Sequence, residues 1–475
     1  MSDDRTRHFI VLLTVCIGVR LAAMALILSG VCPDVPLARI HRSDDVFPRN
    51  MGFIRQDTQV YVPAALALLQ HHTFVVDPDH PTDAVQVVPP GYPFLLALAI
   101  AAGVKFASGI ALLQILLAAG TVLLTYKLAE LLIPRRASSG QALVPLIGAG
   151  IVALDFGSVR YTCEVLTETS FTLALLAATC ALLLFISRPT TGHAILTGAL
   201  FVAATFIRAV TYYLLPLIAL FMFIWAYKRR AATPARWFTG PSLAAVLIIL
   251  TIGGWQARNL ALNNNASFCS IAHVNMLFYR AAGVLAEKEH ISFAEARNRL
   301  GYCTIQKRLP FIGPSSGWMM RKGIEIVLQH PFLYIKVAAR GLVRMLVYPA
   351  GAKTALMEWA GCPDGGSFFE AARWAWGRSP AGMLALCWEG VSLIALWGGS
   401  LLSLIHAKRF LAALPRTHIL AILGILVYLA VISAGPEADA RFRIPMVPLW
   451  AVLSAFGWAQ LLYGNSGTVG DSVGD

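Results

Sequence analysis

Long apolar runs separated by short polar stretches make up most of the chain. Each run is long enough, some only just, to cross about 30 Å of hydrocarbon as a helix. The runs are 9–30, 109–133, 142–156, 165–187, 193–207, 211–227, 240–257, 381–405, 418–434 and 444–463. This pattern predicts an all-α integral membrane protein with about 10–12 transmembrane helices, ten of which these runs locate.

The composition indicates the same class of protein. Hydrophobic residues make up 57% of the chain and charged residues 13%, and the mean hydropathy is +0.67. Soluble domains carry roughly a quarter charged residues, so most of this chain must contact lipid. The first run follows several charged residues and precedes no clear small-residue cleavage site. We therefore expect a retained span, not a removed signal peptide.

Basic residues predict the orientation, because Lys and Arg in short loops stay on the cytoplasmic side. Ten spans put most basic loops on one side, with both termini cytoplasmic, if 90–108 is not a span. We expect 90–108 to lie in or partly enter the outer leaflet, with Lys105 reaching the interface. The basic loops contain Arg5, Arg7, Arg135, Arg136, Arg188, 228–230, Arg236, Arg409 and Arg416. The net charge of +13 therefore requires no nucleic-acid partner.

Two long segments remain on the outer side, at about 31–108 and 258–380, and these would carry juxtamembrane helices and any aqueous chemistry. The predicted organisation has four parts. They are a transmembrane module with the first outer segment at 1–260, an outer juxtamembrane region at 261–380, C-terminal transmembrane helices at 381–463, and a disordered Gly/Ser/Asp-rich tail at 464–475.

Five cysteines fall on the predicted outer side, where an oxidising compartment would allow one or two disulfides. They are Cys32, Cys163, Cys269, Cys303 and Cys362. A pairing of Cys269 with Cys303 is one hypothesis, which the spacing does not decide.

The stretch "DPDH" at 77–80 lacks the spacing of a zinc site, so we expect a solvated loop there and no metal site. The chain has no phosphate-binding glycine loop for a nucleotide. Use of a divalent cation is left open by the sequence.

Asp57 stands at the head of an amphipathic segment outside the predicted membrane. As a helix cap it would accept hydrogen bonds from the amides of Gln59 or Val60. Pro63 disfavours a cap, because its ring removes a backbone donor and crowds a carbonyl one turn earlier. We expect the helix to begin near Val62, with Asp57 in the preceding loop as a candidate catalytic carboxylate.

Glu168 lies in "EVLTETSF" at the outer end of the fourth predicted span. An acid in the first turn complements the helix dipole, and that alone would explain it. An ionisable group near the interior of a bundle is nevertheless costly enough to suggest a function. Asp57 and Glu168 are predicted on the same side of the membrane.

Several arginines break the positive-inside rule, because they lie at the outer ends of predicted spans. They are Arg160, Arg208, Arg258, Arg441 and Arg443. Such a ring of cations, with few local acids apart from Glu437 and Asp439, is expected around an anion such as phosphate. Snorkelling to lipid headgroups would explain any one arginine, and less readily all five.

Seven segments occur in an order that resembles a known class of enzymes. They are "QDTQVYVPAALALLQ", "PPGYPFLLALA", "EVLTETSFTLALLA", "FIRAV", "WQARNLAL", "HPFLYIKVAARGLVRMLVYP" and "RFRIPMVPLWAVL". The chain resembles, over nearly its whole length, polyprenyl-phosphate-dependent glycosyltransferases of the GT-C class. The closest resemblance is to protein O-mannosyltransferases, bacterial aminoarabinose transferases to lipid A and galacturonosyltransferases.

The resemblance implies a GT-C fold and a multi-pass enzyme, expected in a bacterial inner membrane. Such an enzyme transfers a sugar from a polyprenyl phosphate to a hydroxyl of a lipid, glycan or protein on the extracytoplasmic face. Asp57 matches the acidic residue of the family's first outer loop and would be the general base. Glu168 matches the acid at the start of the fourth span and would orient the acceptor or the sugar.

The remaining site residues follow from the same resemblance. The candidates for holding the donor phosphate are Arg208, Arg258 and Arg441. The further candidates for substrate contacts are Tyr61, Tyr92, Arg160 and Arg443. No organic cofactor is implied.

Two departures leave the acceptor undefined. Gln56 precedes Asp57 where protein O-mannosyltransferases carry paired acids. The lysine that aminoarabinose transferases carry near "PPGYP" is missing here.

Two alternative functions remain. A transporter or flippase of lipid-linked glycans would need ionisable residues in the middle of several spans and symmetry between halves. Most spans here have apolar middles. An O-antigen ligase or polymerase would be supported by an arginine pair with a histidine in one outer loop, whereas His290, Arg297 and His330 are scattered.

Overall fold

The computed structural model describes residues 3–30, 34–40, 57–75, 87–133, 140–230, 237–302, 316–349, 351, 368–376, 378–407 and 414–463. Regular secondary structure in these ranges is helical, apart from one isolated bridge between Pro36 and Phe106. The all-α prediction is therefore confirmed for the described part of the chain. The predicted loop at 77–80, Gln56 and the predicted tail at 464–475 lie outside the described residues.

The helices of the first half follow the predicted apolar runs. They are α1 (Asp3–Gly30), α2 (Thr58–His71), α3 (Gly91–Ala101), α4 (Ala107–Leu132), α5 (Val144–Leu154), α6 (Phe156–Thr162), α7 (Glu168–Ser187), α8 (Thr191–Ile207), α9 (Leu214–Lys228) and α10 (Thr239–Asn263). Short 3-10 turns lie at Leu37–Arg39, Gln141–Leu143 and Ala209–Thr211.

The second half begins with the shorter helices of the segment at 258–380 that the sequence predicted on the outer side. Its helices are α11 (Ile271–Asn275), α12 (Ala282–Glu289), α13 (Phe293–Arg299), α14 (Ser316–Gln329), α15 (Pro331–Val347), α16 (Phe368–Ala375), α17 (Pro380–Ile405), α18 (Arg416–Ser433) and α19 (Val447–Tyr463). A π-helical turn, Met276–Ala281, joins α11 to α12, and a 3-10 stretch, Ala440–Met446, leads into α19.

Seven of these segments are long and apolar enough to cross a membrane, so the chain is a multi-pass membrane protein. They are α1, α4, α7, α10, α17, α18 and Ala440–Leu462. The pair α5 and α6 is bent by 53° and would make an eighth span. The sequence predicted 10–12 spans. The number found is lower because two of the apolar helices are short. Helices α8 and α9 have 17 and 15 residues, or about 25 and 22 Å.

Helix α3 occupies the segment that the sequence predicted to lie in the outer leaflet. Its 11 residues reach about 16 Å, too short to cross the hydrocarbon core. The chain then turns and enters α4 at Ala107.

Helix α2 starts at Thr58, earlier than the predicted start near Val62. Pro63 lies inside it and removes only one intrahelical hydrogen bond. Two features favour the longer helix. Thr58 Oγ1 donates a hydrogen bond to the Val165 carbonyl at 3.0 Å, and Ala64 and its neighbours are fully buried.

The two most buried spans form the centre of the bundle. The apolar window of α7 is 72% buried and that of Ala440–Leu462 is 83% buried, whereas the other spans range from 22% to 44%. Glu168 is the first residue of α7, and Arg441 lies at the start of the 3-10 stretch before α19. Both residues are thus carried by the most deeply buried spans of the fold.

The five cysteines predicted on the outer side lie only partly within the described residues. Cys269 and Cys163 are buried free thiols. Cys32, Cys303 and Cys362 lie outside the described residues.

Small residues let α17 and α19 approach closely, as is common between membrane helices. A Cβ on Gly457 would overlap the carbonyl oxygen of Gly399, so Gly457→Ala must push the two helices apart. We expect this variant to unfold at a lower temperature than the wild type in detergent. Gly424→Ala on α18 is the matched control, because a Cβ there meets nothing within 4 Å. Equal midpoints for the two variants would contradict this packing.

Candidate functional site

Asp57 immediately precedes α2 and does not cap it. Its backbone is helical (φ −63°, ψ −30°) and its side chain makes no cap hydrogen bond. Oδ2 instead accepts a hydrogen bond from Nη2 of Arg441 at 2.9 Å. The Asp57 side chain is 42% exposed. The carboxylate is therefore held by a cation and still reaches solvent.

Glu168 is fully buried at the start of α7. Its Oε1 accepts hydrogen bonds from Nη1 of Arg208 at 2.7 Å and from Nε of Arg441 at 2.9 Å. Its Oε2 is also buried and has no hydrogen-bond partner. Two guanidinium groups on one carboxylate oxygen supply the compensation that a buried charge requires.

These four residues form what we call the charged cluster: Asp57, Glu168, Arg208 and Arg441. They come from four separate elements. Arg208 follows the last residue of α8 with an extended backbone (φ −147°, ψ 121°). Two of the predicted phosphate ligands and both predicted carboxylates are thus brought together at one end of the bundle.

An aromatic ring and a short turn fix the two arginines. The ring of Phe442 lies 5.2 Å from the Arg208 guanidinium carbon and 5.7 Å from that of Arg441. Cation–π contact of this kind stabilises a guanidinium and restricts its rotamers. Asp439 accepts a hydrogen bond from the backbone N–H of Arg441 at 3.1 Å, so the start of the 3-10 stretch is capped.

Tyr61 and Tyr92 are buried side chains that pack against each other near the charged cluster. Their rings meet edge to face with centroids 5.1 Å apart. The Tyr92 hydroxyl donates to Oε1 of Gln114 at 3.1 Å, and Nε2 of Gln114 donates to the carbonyls of Thr162 and Glu164. Burial raises the pKa of Tyr61, and the charges of Asp57 and Glu168 add to the shift. Tyr61 therefore keeps its proton near neutral pH and can donate a hydrogen bond.

Arg258 lies on a neighbouring aromatic surface. Its guanidinium carbon is 4.7 Å from the Trp255 ring and 5.7 Å from the Phe74 ring, and Nη1 donates to Oδ1 of Asn259 at 2.8 Å. Within the described residues these contacts do not include the charged cluster. Of the three predicted phosphate ligands, Arg208 and Arg441 therefore belong to the charged cluster, and Arg258 contacts other side chains.

Arg160 and Arg443 lie in buried ion pairs. Arg160 pairs with Glu164 at 3.2 Å, with both side chains 2% exposed. Arg443 pairs with Glu389 at 2.8 Å, and Nη1 of Arg443 donates to the Met345 carbonyl at 3.1 Å. This placement favours a structural role for both arginines over contact with a substrate.

The expectation that few acids accompany these arginines is contradicted. Three glutamates form ion pairs with the predicted outer-end arginines. Arg160 pairs with Glu164, Arg441 with Glu168, and Arg443 with Glu389. Sequence reasoning missed Glu389 as the partner of Arg443. The signal was present, because Glu389 is an acid inside an apolar run and such a group normally has a partner.

A further ion pair lies next to the cluster on the chain. Nε of Arg280 is 3.4 Å from Oε1 of Glu437, and both side chains are largely buried. Glu437 was expected as one of the few local acids, but its partner Arg280, on the π-helical turn, was not predicted. Burial raises the pKa of Glu437, and its own backbone amide, Arg280 and Arg344 oppose the shift.

The site can therefore combine two kinds of chemistry. An exposed carboxylate within reach of a substrate hydroxyl can accept a proton. Paired guanidinium groups can hold a phosphate through charge-assisted hydrogen bonds. Among the described residues, no three His, Cys, Asp or Glu side chains converge as metal ligands would.

Comparison with known proteins yields a structural similarity only. No family model matches the chain, and no curated protein sequence matches it significantly. The structure is similar to the archaeal oligosaccharyltransferase AglB from Archaeoglobus fulgidus, solved in complex with an inhibitory peptide and a dolichol-phosphate. The sequence identity is 14% and the TM-score 0.44, over 100% of this chain and 53% of that chain. The chain thus spans about half the length of that structure.

Replacing the buried carboxylate tests the cluster as a structural unit. Glu168→Gln leaves Arg208 and Arg441 without their shared counter-charge, so we expect a loss of about 3 kcal/mol in the free energy of unfolding. The measurement is the midpoint of thermal unfolding in detergent. Glu130→Gln removes an exposed pair with Lys127 and should change the midpoint little. A Glu168→Gln variant as stable as the control would show that the buried charge of Glu168 does not contribute this free energy to the stability of the fold.

The raised pKa of Glu437 predicts a pH-dependent stability. The folded state holds this proton more tightly than the unfolded chain, so ionising Glu437 costs stability. This loss of stability is absent below the ordinary carboxyl pKa, and it grows as the pH rises towards the raised pKa of Glu437 in the folded protein. We expect the unfolding midpoint of Glu437→Gln, relative to wild type, to increase from about pH 4 to about pH 7. A difference that stays constant or decreases would contradict the direction of the shift.

Proposed function

We propose that the chain is an integral-membrane glycosyltransferase that transfers a sugar from a polyprenyl-phosphate donor to an acceptor hydroxyl. The acceptor belongs to a lipid, glycan or protein. The reaction takes place on the extracytoplasmic face, in a bacterial inner membrane with both termini cytoplasmic. The motif order in the sequence supports this class of enzyme, and the charged cluster supports its chemistry.

The observation that carries the proposal is the bond between Arg441 and both carboxylates. Its Nη2 contacts Asp57 and its Nε contacts Glu168, each at 2.9 Å. A proton acceptor and an anion-binding cation are thereby fixed side by side. Glycosyl transfer from a lipid phosphate needs both, because a hydroxyl loses a proton while a phosphate leaves.

Asp57 acts as the general base in this proposal. The acceptor oxygen attacks the anomeric carbon and its proton passes to the Asp57 carboxylate. The bond between the anomeric carbon and the phosphate oxygen breaks on the opposite side, which inverts the anomeric centre. The electron pair leaves with the polyprenyl phosphate.

Arg208 and Arg441 stabilise the departing phosphate. Positive charge that is fixed before the reaction favours a developing anion without needing to reorganise. Arg258, which packs against Trp255, serves in this proposal as an outer contact of the lipid phosphate. Trp255 in turn meets Phe206, which is two residues before Arg208, at 6.0 Å.

Glu168 fixes the two arginines, and this role is added to that of orienting the acceptor or the sugar. A buried carboxylate with one oxygen bonded to two guanidinium groups holds them at a set separation. Tyr61, with its proton retained, donates a hydrogen bond to a sugar or phosphate oxygen in this proposal.

Transfer from a panel of radiolabelled polyprenyl-phosphate sugars to membrane glycolipid fractions tests the proposal. We expect wild-type protein in nanodiscs to consume at least one donor. Asp57→Asn keeps the hydrogen bond to Arg441 but cannot take the proton, so the rate should fall by roughly 10²-fold or more. Binding of that donor should persist.

Glu295→Gln is the matched control, because Glu295 is an exposed acid paired with Arg299 on α13. Its transfer rate should equal that of the wild type. Undiminished transfer by a folded Asp57→Asn variant would exclude Asp57 as the base. If no donor reacts and the protein instead transports a lipid-linked glycan, a transporter function would replace the proposed enzyme activity.

A further inference from the structure

A short loop at 434–439 connects α18 to the 3-10 stretch that carries Arg441. The loop contains a turn, in which the Ala438 N–H donates to the Gly435 carbonyl at 3.1 Å. Pro436 and Glu437 occupy the two central positions of the turn, and proline favours the first of them. The position of Arg441 therefore depends on how this loop is held.

The π-helical turn of the second outer segment holds the loop from one side. Nη2 of Arg280 donates to the Ile432 carbonyl, near the end of α18, at 2.7 Å. Nε of Arg280 lies 3.4 Å from Oε1 of Glu437. The two side chains are 18% and 10% exposed. One guanidinium thus joins the end of α18 to the turn that follows.

Helix α15 holds the loop at a second place. Nη2 of Arg344 donates to the Pro436 carbonyl at 2.5 Å. Gly341 lies directly against the loop, and a Cβ there would overlap the Gly435 carbonyl oxygen. The backbones are therefore in close contact, and the loop cannot shift without moving α15.

The π-helical turn carries Tyr279 directly before Arg280. Burial raises the pKa of Tyr279 to about 12, and the charge of Asp57 is among the smaller contributions. Nη2 of Arg297 on α13 donates to the Tyr279 hydroxyl at 3.4 Å, whereas Arg280, the next residue, contacts the loop. Turns of π-helix inside α-helices occur frequently at functional sites.

We infer that Arg280 and Glu437 are positioning residues for Arg441, through which the second outer segment sets the geometry of the charged cluster. The inference rests on the proposed function only for its effect on transfer. Hydrogen bonds of 2.9 Å weaken steeply with displacement, so a loop that moves would separate Arg441 from both carboxylates. Misplacement by about 1 Å is enough to lower a rate 10²-fold.

Hydrogen–deuterium exchange of peptides spanning 434–446 tests the inference without any assay of transfer. Arg280→Met keeps most of the side-chain length and removes the guanidinium. We expect exchange in these peptides to become at least about tenfold faster than in wild type. Glu437→Gln, which keeps the shape of the turn, is the second variant and should show a smaller increase.

Arg299→Met is the control, because Arg299 forms exposed ion pairs with Glu289 and Glu295 away from the loop. Its exchange at 434–446 should match that of the wild type. Exchange that stays unchanged in folded Arg280→Met would overturn the inference. An equal increase in all three variants would overturn it too, since the loop would then report general destabilisation.

Steady-state transfer kinetics provide the second readout. We expect kcat/KM for the donor to fall 10- to 100-fold in Arg280→Met, with Arg280→Lys recovering part of the loss. Unchanged kcat/KM in a protein that transfers sugar would overturn the positioning role. Faster exchange at 434–446 in a protein that transfers no sugar would uphold the inference and refute the proposed function alone.

Discussion

The structure depends on the burial of one negative charge, that of Glu168. A carboxylate removed from water is strongly destabilising unless hydrogen bonds and opposite charges surround it. Here a single oxygen accepts from Arg208 and Arg441. These cations come from the end of α8 and from the stretch before α19, so satisfying one carboxylate draws three elements together. The bond from Arg441 to Asp57 then adds the start of α2.

Two of the other predicted outer-end arginines form ion pairs of their own, apart from the charged cluster. Arg160 with Glu164 and Arg443 with Glu389 are almost completely buried. The second pair joins α17 to the 3-10 stretch before α19, whereas the first is local, and Arg160 reaches a distant segment through the Gly351 carbonyl at 3.0 Å. Asp57, 42% exposed, is the carboxylate that a substrate can reach. Burial thus separates the charges that stabilise the fold from the charge proposed to react.

Apolar runs predicted the helices well, because a segment in lipid must satisfy its own backbone and only helices do so locally. All ten runs are helical over most of their length. Helix α8 begins two residues before its predicted run, whereas α9 begins three residues after its run, since apolar residues precede the start of that helix. The predicted start of α2 was too late in the chain, because the stabilisation from burying its first turns outweighs the backbone hydrogen bond lost at Pro63. Asp57 and Glu168 could be singled out from their positions. Their shared contact with Arg441 could not, because it joins residues far apart in the chain, and the pairing of Arg280 with Glu437 was missed for the same reason.

A structure of the protein with a bound polyprenyl phosphate is the most direct test of the charged cluster as the site of transfer. We expect the phosphate within hydrogen-bond distance of both Arg208 and Arg441, with the carboxylate of Asp57 facing the side where a sugar would be attached. Arg258 would contact it only from the outer edge. A phosphate held elsewhere, with the bonds from Arg441 to Asp57 and Glu168 undisturbed, would contradict the central claim that the charged cluster is the site of transfer.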